Sequence, residues 1–367
     1  MVIDFANLKL QYLKYKDEID QNLQEVLNST NFIMGRQVGE FEKNLEKFSG
    51  AKYAVTCSSG TDALTLSMMA MDIQPGDEII TTPFSFISTA ETISLLKAKP
   101  VFVDIEPDTF NIDAKKIESV ITKKTKIILP VSLFGQPSDI HSIQLLADSY
   151  NLKIIIDGAQ SFGSSYFKKM DSNLGDISVT SFFPAKPLGC YGDGGAIFTN
   201  SENYFNKLKL LRIHGQSKRY HHKFIGLGGR MDTIQAAVLL VKLKYFHEEI
   251  SLRNKIADQY TKKLSKHFIT PQIKNNRTST WAQYTIRANN RDSLQFKLKE
   301  IGIPTAIYYP LPLHLQECFR YLNYKEGDLP NAEQASKEVI SLPINAFMRE
   351  EINFIIDKII SLRKELN

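Results

Sequence analysis

Lys186 stands in an unusual place for a lysine. It occupies the apolar, glycine-punctuated stretch Thr180-Ser181-Phe182-Phe183-Pro184-Ala185-Lys186-Pro187-Leu188-Gly189-Cys190-Tyr191-Gly192-Asp193-Gly194-Gly195, between two runs that read as strands, 176–183 and 194–199. Phe183, Pro184, Pro187 and Leu188 would strip water from the ammonium, lower its pKa and leave a nucleophilic amine. Such an amine condenses with aldehydes and ketones, which is how pyridoxal phosphate is held. Taken alone, the stretch reads equally well as a glycine-rich hairpin with a surface lysine.

Asp157 ends the apolar run Lys153–Asp157, 29 residues before that lysine. A carboxylate at the end of a buried strand needs a partner. The pyridinium nitrogen of pyridoxal phosphate is one, because an acid there lets the ring act as an electron sink. A helix N-cap opened by Asp157-Gly158-Ala159-Gln160 is another. In Ser58-Ser59-Gly60-Thr61-Asp62-Ala63-Leu64 a strand passes into a helix, and N–H groups beside a glycine there can take a phosphate. The same string is also an ordinary capping sequence. Ser181 can add a hydroxyl to that phosphate. Phe86 can stack on a flat ring, although a plain core aromatic is the simpler reading. Neither GxxxxGK[ST] nor GxGxxG occurs, so no nucleotide-binding fold of those kinds is supported. HExxH and the EF-hand pattern are absent too. Cys57, Cys190 and Cys318 form no CxxC pair, which predicts reduced thiols and no metal site.

These residues need a scaffold, and the pattern supplies one. Short apolar runs (54–57, 78–81, 100–104, 126–132, 153–157) alternate with helical segments (62–71, 88–96, 114–121, 139–150). Strands apolar on both faces and separated by helices predict an α/β fold with a mostly parallel sheet covered on both sides. Ligands collect at the carboxyl ends of such strands, where Gly60, Phe86, Asp157 and Ser181 fall. Residues 10–27 read as an amphipathic helix with Tyr12, Ile19, Leu23 and Leu27 on one face. A long helix over 231–264 is expected to lead from a large domain, 1–242, to a smaller α+β domain, 243–367. The smaller domain is read as strands over 280–286 and 305–309 and helices over 291–301 and 350–366.

The net charge of +5, from 45 basic and 40 acidic residues spread along the chain, is too dilute for nucleic-acid binding. The one basic cluster, Lys218-Arg219-Tyr220-His221-His222-Lys223, can serve a phosphorylated small molecule. No apolar run reaches the length of a membrane span. The opening Met1-Val2-Ile3-Asp4-Phe5-Ala6-Asn7 lacks the basic and apolar regions of a signal peptide, so a cytoplasmic location is expected.

With these residues in place, the chain resembles the sugar aminotransferases of the DegT/DnrJ/EryC1/StrS family over nearly its whole length. The matching motifs are 59–64 (SGTDAL), 101–104 (VFVD), 133–137 (LFGQP), 157–163 (DGAQSFG), 181–186 (SFFPAK), 192–195 (GDGG) and 230–237 (RMDTIQAA). The resemblance implies an aspartate aminotransferase-like fold (pyridoxal phosphate fold type I) and a homodimer with active sites shared between subunits. It implies that Lys186 bonds to the cofactor and shuttles a proton, that Asp157 holds the pyridinium, and that Gln160 approaches the phenolic oxygen. Gly60, Thr61 and Ser181 would bind the phosphate, and Phe86 would cover the ring. Within the family the chain looks most like the enzymes that aminate C3 of UDP-2-acetamido-2-deoxy-3-ketoglucuronate with glutamate, for O-antigen and lipopolysaccharide synthesis. Phe32, Arg230, Tyr308 and Tyr309 would then line the sugar pocket. Alternatives are a dTDP-3-keto-6-deoxyhexose 3-aminotransferase, a C4 aminotransferase, and a non-catalytic regulatory relative. The last should have lost Lys186 or Asp157. Two departures stand out: Gly228 replaces a usual asparagine that serves the neighbouring subunit's cofactor, and Tyr308 replaces a usual histidine.

Overall fold

The computed structural model of the chain describes residues 3–366. At its centre lie β1 (Tyr53–Cys57), β2 (Glu78–Thr81), β3 (Lys99–Phe102), β4 (Thr125–Leu129), β5 (Lys153–Asp157), β6 (Ile177–Ser181) and β7 (Gly195–Thr199). They form one sheet in the order β1-β7-β6-β5-β4-β2-β3. β7 is antiparallel to both neighbours and the remaining pairs are parallel.

The unbroken apolar runs reflect burial on both faces. Ile155 joins Ile79, Ile127 and Ile177 in one core, while Ile154 and Ile156 join Ile80 and Ile128 in another. The covering helices include α1 (Leu8–Ser29), α2 (Arg36–Ser49), α3 (Gly60–Ala70), α4 (Ser88–Leu95), α5 (Ile140–Tyr150), α6 (Glu202–Leu211) and α7 (Thr233–Leu264). β1, β2, β5 and β6 finish at the same edge of the sheet, so Cys57, Thr81, Asp157 and Ser181 end their strands on one side.

α7 runs without a break across residues 242 and 243. Its first half gives Ala236, Leu239 and Leu240 to the core beneath the Lys186 loop. Its second half gives Ile256, Tyr260 and Leu264 to a C-terminal core. That core is completed by β8 (Tyr284–Arg287), α8 (Arg291–Glu300), β9 (Val339–Leu342) and α10 (Glu351–Leu366), with α9 (Pro330–Glu338) preceding β9.

Three expectations change. Of the predicted stripe, α1 buries Ile19 and packs Tyr12 and Leu23 against the same core, but Leu27 is 49% exposed, and Gln11, Tyr15 and Val26 are buried as well. The polar Gln11 belongs inside because its Nε2 donates to both carboxylate oxygens of buried Glu249, at 3.0 and 2.9 Å. The strand expected from 280 starts at Tyr284, since Trp281 adopts φ 51° and donates its N–H to Ser279 Oγ. Residues 305–309 form no strand. Ala306 makes one isolated bridge to Ser341, while β8 pairs instead with β9; Pro304 and Pro310, which lack N–H donors, bracket the segment.

Candidate active site

Lys186 lies on the 13-residue connection 182–194 between β6 and β7. The loop folds back on itself: Lys186 N donates to Phe183 O at 2.8 Å, and Cys190 N to Phe182 O at 2.8 Å. Gly189 makes this possible, because a Cβ there would come within 2.3 Å of Pro184 O. The Lys186 side chain is half-buried with its amine end enclosed, and desolvation lowers its pKa against the attraction of Asp157. The amine is therefore shifted toward the neutral, nucleophilic form.

Asp157 is 5% exposed at the end of β5. Thr89 Oγ1 on α4 donates to its Oδ2 at 2.8 Å, and Ala159 N donates to Oδ1 at 3.2 Å. Ser85 Oγ lies 3.0 Å from Thr89 Oγ1, whose proton is committed to the carboxylate, so Ser85 donates to Thr89. Burial raises the pKa of Asp157, opposed by Thr89, then Ala159, then the charge of Lys186. The lysine and the aspartate thus share one electrostatic environment. The helix-cap reading of Asp157 fails, since turns and not a helix follow it.

The Ser58–Leu64 string forms the start of α3. Ser59 caps it, accepting from Asp62 N at 3.0 Å, and Ser58 Oγ hydrogen-bonds to the Asp62 carboxylate. The N–H groups of Gly60 and Thr61 have no acceptor among the described residues. A Cβ on Gly60 would meet Ser181 Cβ at 2.8 Å, so the glycine brings the α3 terminus against the end of β6. Thr61 Oγ1 and Ser88 Oγ are 2.9 Å apart.

Phe86 is 56% exposed, with its ring centroid 6.5 Å from that of Tyr309. Gln160 accepts from Phe134 N at 2.7 Å and donates from Nε2 to Tyr309 OH at 3.2 Å, tying the C-terminal segment to the sheet. Burial raises the pKa of both Tyr308 and Tyr309, so each is a neutral donor at physiological pH. Lys186, Asp157, Gln160, Phe86, Tyr309 and the Gly60–Ser181 contact form one wall.

Phe32 and Arg230 flank the start of α7, and the segment leading into Arg230 touches the loop that opens α3. Phe32 O accepts from Thr233 N at 2.9 Å, and Gly229 O accepts from Ser58 N at 3.2 Å. No hydrogen bond, ion pair or ring contact joins either residue to Lys186, Asp157, Tyr308 or Tyr309 among the described residues. At Gly228, a Cβ would lie 3.1 Å from the His214 imidazole, so His214 fills the space an asparagine side chain would enter. The basic cluster 218–223 forms an exposed hairpin.

Sequence reasoning missed Thr89 and Ser85. It also missed Asp171, a buried carboxylate bonded to Ser161 Oγ whose pKa burial pushes up to about 6. The signal for Thr89 was weak: it is a helical threonine 68 positions from its partner. Among the described residues no group of three or more His, Cys, Asp and Glu side chains is placed to hold a metal. No helix of the described residues is long and apolar enough to cross a membrane.

The residues fit pyridoxal phosphate: an amine of lowered basicity, a buried acid held by two donors, and unpaired N–H groups at a helix start. Comparison with known proteins agrees. Residues 14–360 match the DegT/DnrJ/EryC1/StrS aminotransferase family. The UDP-2-acetamido-2-deoxy-3-oxo-D-glucuronate aminotransferase of Pseudomonas aeruginosa is 47% identical, covering 95% of this chain and 96% of its own. A dTDP-3-amino-3,6-dideoxy-alpha-D-galactopyranose transaminase of Aneurinibacillus thermoaerophilus is 39% identical over 98% of this chain and 99% of its own. The structure of NtdA from Bacillus subtilis, with bound cofactor PMP, superposes at TM-score 0.91 with 30% identity, covering 99% of this chain and 85% of that one. The architecture is the fold type I arrangement of pyridoxal phosphate enzymes.

Proposed function

Since the chain belongs to the DegT/DnrJ/EryC1/StrS aminotransferase family and is a pyridoxal phosphate-dependent sugar transaminase, we propose that it moves an amino group from glutamate to C3 of UDP-2-acetamido-2-deoxy-3-ketoglucuronate. The step would be cytoplasmic and would feed surface-polysaccharide synthesis. The observation that carries the reading is the desolvated amine of Lys186 beside a buried carboxylate that Thr89 holds in place.

When bound, pyridoxal phosphate supplies an aldehyde for a primary amine and a ring that withdraws electrons from the carbon bearing the nitrogen. Lys186, shifted toward its neutral form, would take the proton from the donor's carbon and return one to the sugar carbon. Asp157 would keep a proton on the ring nitrogen, with Thr89 and Ala159 N–H fixing the carboxylate's direction. The N–H groups of Gly60 and Thr61 and the Ser181 hydroxyl would hold the phosphate. Phe86 would cover one face of the ring, and Gln160 holds Tyr309 in the same wall. Phe32, Arg230, Tyr308 and Tyr309 would contact the sugar.

The name of the Pseudomonas relative supports the uronate. A second reading, a dTDP-linked 3-keto-6-deoxyhexose, is favoured by Tyr308, which carries no positive charge for a carboxylate, and by the name of the Aneurinibacillus relative. Incubating holoenzyme and glutamate with UDP- and dTDP-linked 3-ketosugars decides between them. Borohydride reduction followed by peptide mapping should place a pyridoxyl group on Lys186. A label on another lysine would refute the site.

The protein is proposed to be a homodimer in which Arg230 serves the partner's site, and His214 is placed to supply the donor that Gly228 lacks. Support comes from the exposed apolar run Phe32, Ile33 and Met34 (43, 51 and 41%), which bridges through Ile33 to Asp232 beside Arg230. Mixing unfolded Lys186→Ala and Arg230→Ala chains and refolding them together should restore about a quarter of wild-type activity, because random pairing gives heterodimers with one intact site. No recovery would refute the shared site.

A further inference from the structure

α7 touches the Lys186 loop at two points. Gln235 Oε1 accepts from Tyr191 N at 2.8 Å, and Lys242 Nζ donates to Gly189 O. The two residues are seven positions apart, two helical turns, and so lie on one face of the helix. The gripped groups lie three and five residues beyond Lys186, in the part of the loop that folds back onto Phe182 and Phe183. Lys242 is 1% exposed, and its Nζ lies 5.2 Å from the centroid of the Tyr191 ring.

A fully buried lysine is an expensive way to fill space, since its charge gives up water while a methionine of similar length would not. Glu249, a further seven residues along α7, is the acid whose charge acts on Lys242. That acid is itself shared with Gln11 of α1. Gln11 is thus bonded to Glu249 and Lys242 to the backbone of the loop that carries the reactive amine, and the charge of Glu249 acts on Lys242 across the core.

We propose that Lys242 and Gln235 are positioning residues that hold the amine of Lys186 toward Asp157 by clamping the 182–192 loop from one face of α7. The proposal rests on the reading of Lys186 as the cofactor-bearing amine. Neither residue touches the reacting atoms. Each acts through the loop backbone, whose close turn at Gly189 leaves no room for a side chain beside Pro184 O.

The test uses full-length wild-type, Lys242→Met and Gln235→Leu proteins, with and without pyridoxal phosphate. Amide hydrogen exchange on the cofactor-free chains should be about tenfold faster at Lys186, Cys190 and Tyr191 in both variants, the loss of one hydrogen bond of roughly 1.4 kcal/mol, with β1 unchanged. In holoenzyme, kcat should fall about tenfold with KM for glutamate within twofold, while the thermal midpoint of Lys242→Met is no lower than wild type. Unchanged exchange at those three amides overturns the clamp, as does a uniform acceleration that includes β1, the mark of general destabilisation. Should Lys242→Met fail to fold, Gln235→Leu decides by the same readings. If the wild-type protein aminates no ketosugar, the substrate reading falls, while the exchange data still judge the clamp.

Discussion

Replacing Thr89 by valine keeps the shape of the side chain and removes the one hydroxyl that donates to Asp157 Oδ2, at 2.8 Å. The carboxylate is 5% exposed, so little water can take the vacant place. A hydrogen bond to a charged group contributes about 1.5–3 kcal/mol, which at 1.36 kcal/mol per factor of ten is roughly a ten- to 150-fold loss in kcat/KM. The sign of the pH effect follows from the same geometry. Burial already raises the pKa of Asp157, and Thr89 is the strongest of the groups opposing that rise. Without it the pKa climbs further, and the acid limb of the kcat/KM profile moves to higher pH. Measuring that profile for Thr89→Val and Thr89→Ser, with cofactor affinity by titration, tests the reasoning. Serine keeps the hydroxyl and should keep most of the activity. A valine variant with wild-type kcat/KM and an unmoved acid limb would show that the hydroxyl does not serve the carboxylate.

Gly60→Ala places a methyl 2.8 Å from Ser181 Cβ. It should weaken cofactor affinity and cost about 1–3 kcal/mol of stability, read by ligand titration and denaturant unfolding. Lys242 has its pKa lowered by burial to about 8, from 10.5. The unfolded chain therefore binds more protons between those values, and stability should rise as pH climbs from about 8 toward 10.5. The gain is about 3 kcal/mol at most, and Lys242→Met should flatten it in denaturant titrations at each pH. Tyr308→His should raise kcat/KM for the uronate over the 6-deoxyhexose by about tenfold if the imidazolium pairs with a carboxylate, as measured by competing the two substrates.

Much of the sheet could be read from the chain because each strand is buried on both faces, so Ile154, Ile155 and Ile156 are all apolar in spite of pointing to different cores. Lys186 and Asp157 stood out because a charged residue in an apolar run asks for a partner. The rest depended on distance in sequence. Nothing local marks Thr89 as the donor to residue 157, or Lys242 as the donor to residue 189. α2 was passed over although Val38, Phe41 and Leu45 recur at helical spacing, because charged residues separate them. The stripe on α1 includes Leu27 and omits Gln11 because hydrophobicity alone favours leucine, while the place of Gln11 is fixed by an acid on another helix. The pattern over 305–309 predicts a strand, whereas the strand that forms is β9. Both segments meet at Ser341, and only the pairing with β8 extends over four residues.

The uninterrupted helix Thr233–Leu264 has one more consequence. At 1.5 Å per residue its 32 residues form a rod about 48 Å long. Arg253, further along it, is bonded to Trp281 O and Ile344 O at 3.1 and 3.0 Å. One extra residue would turn everything beyond it by about 100°. An insertion anywhere from 235 to 253 would therefore throw the two ends of the molecule out of phase. The length of this rod is a setting of the machine, and evolution can lengthen the chain only on either side of it.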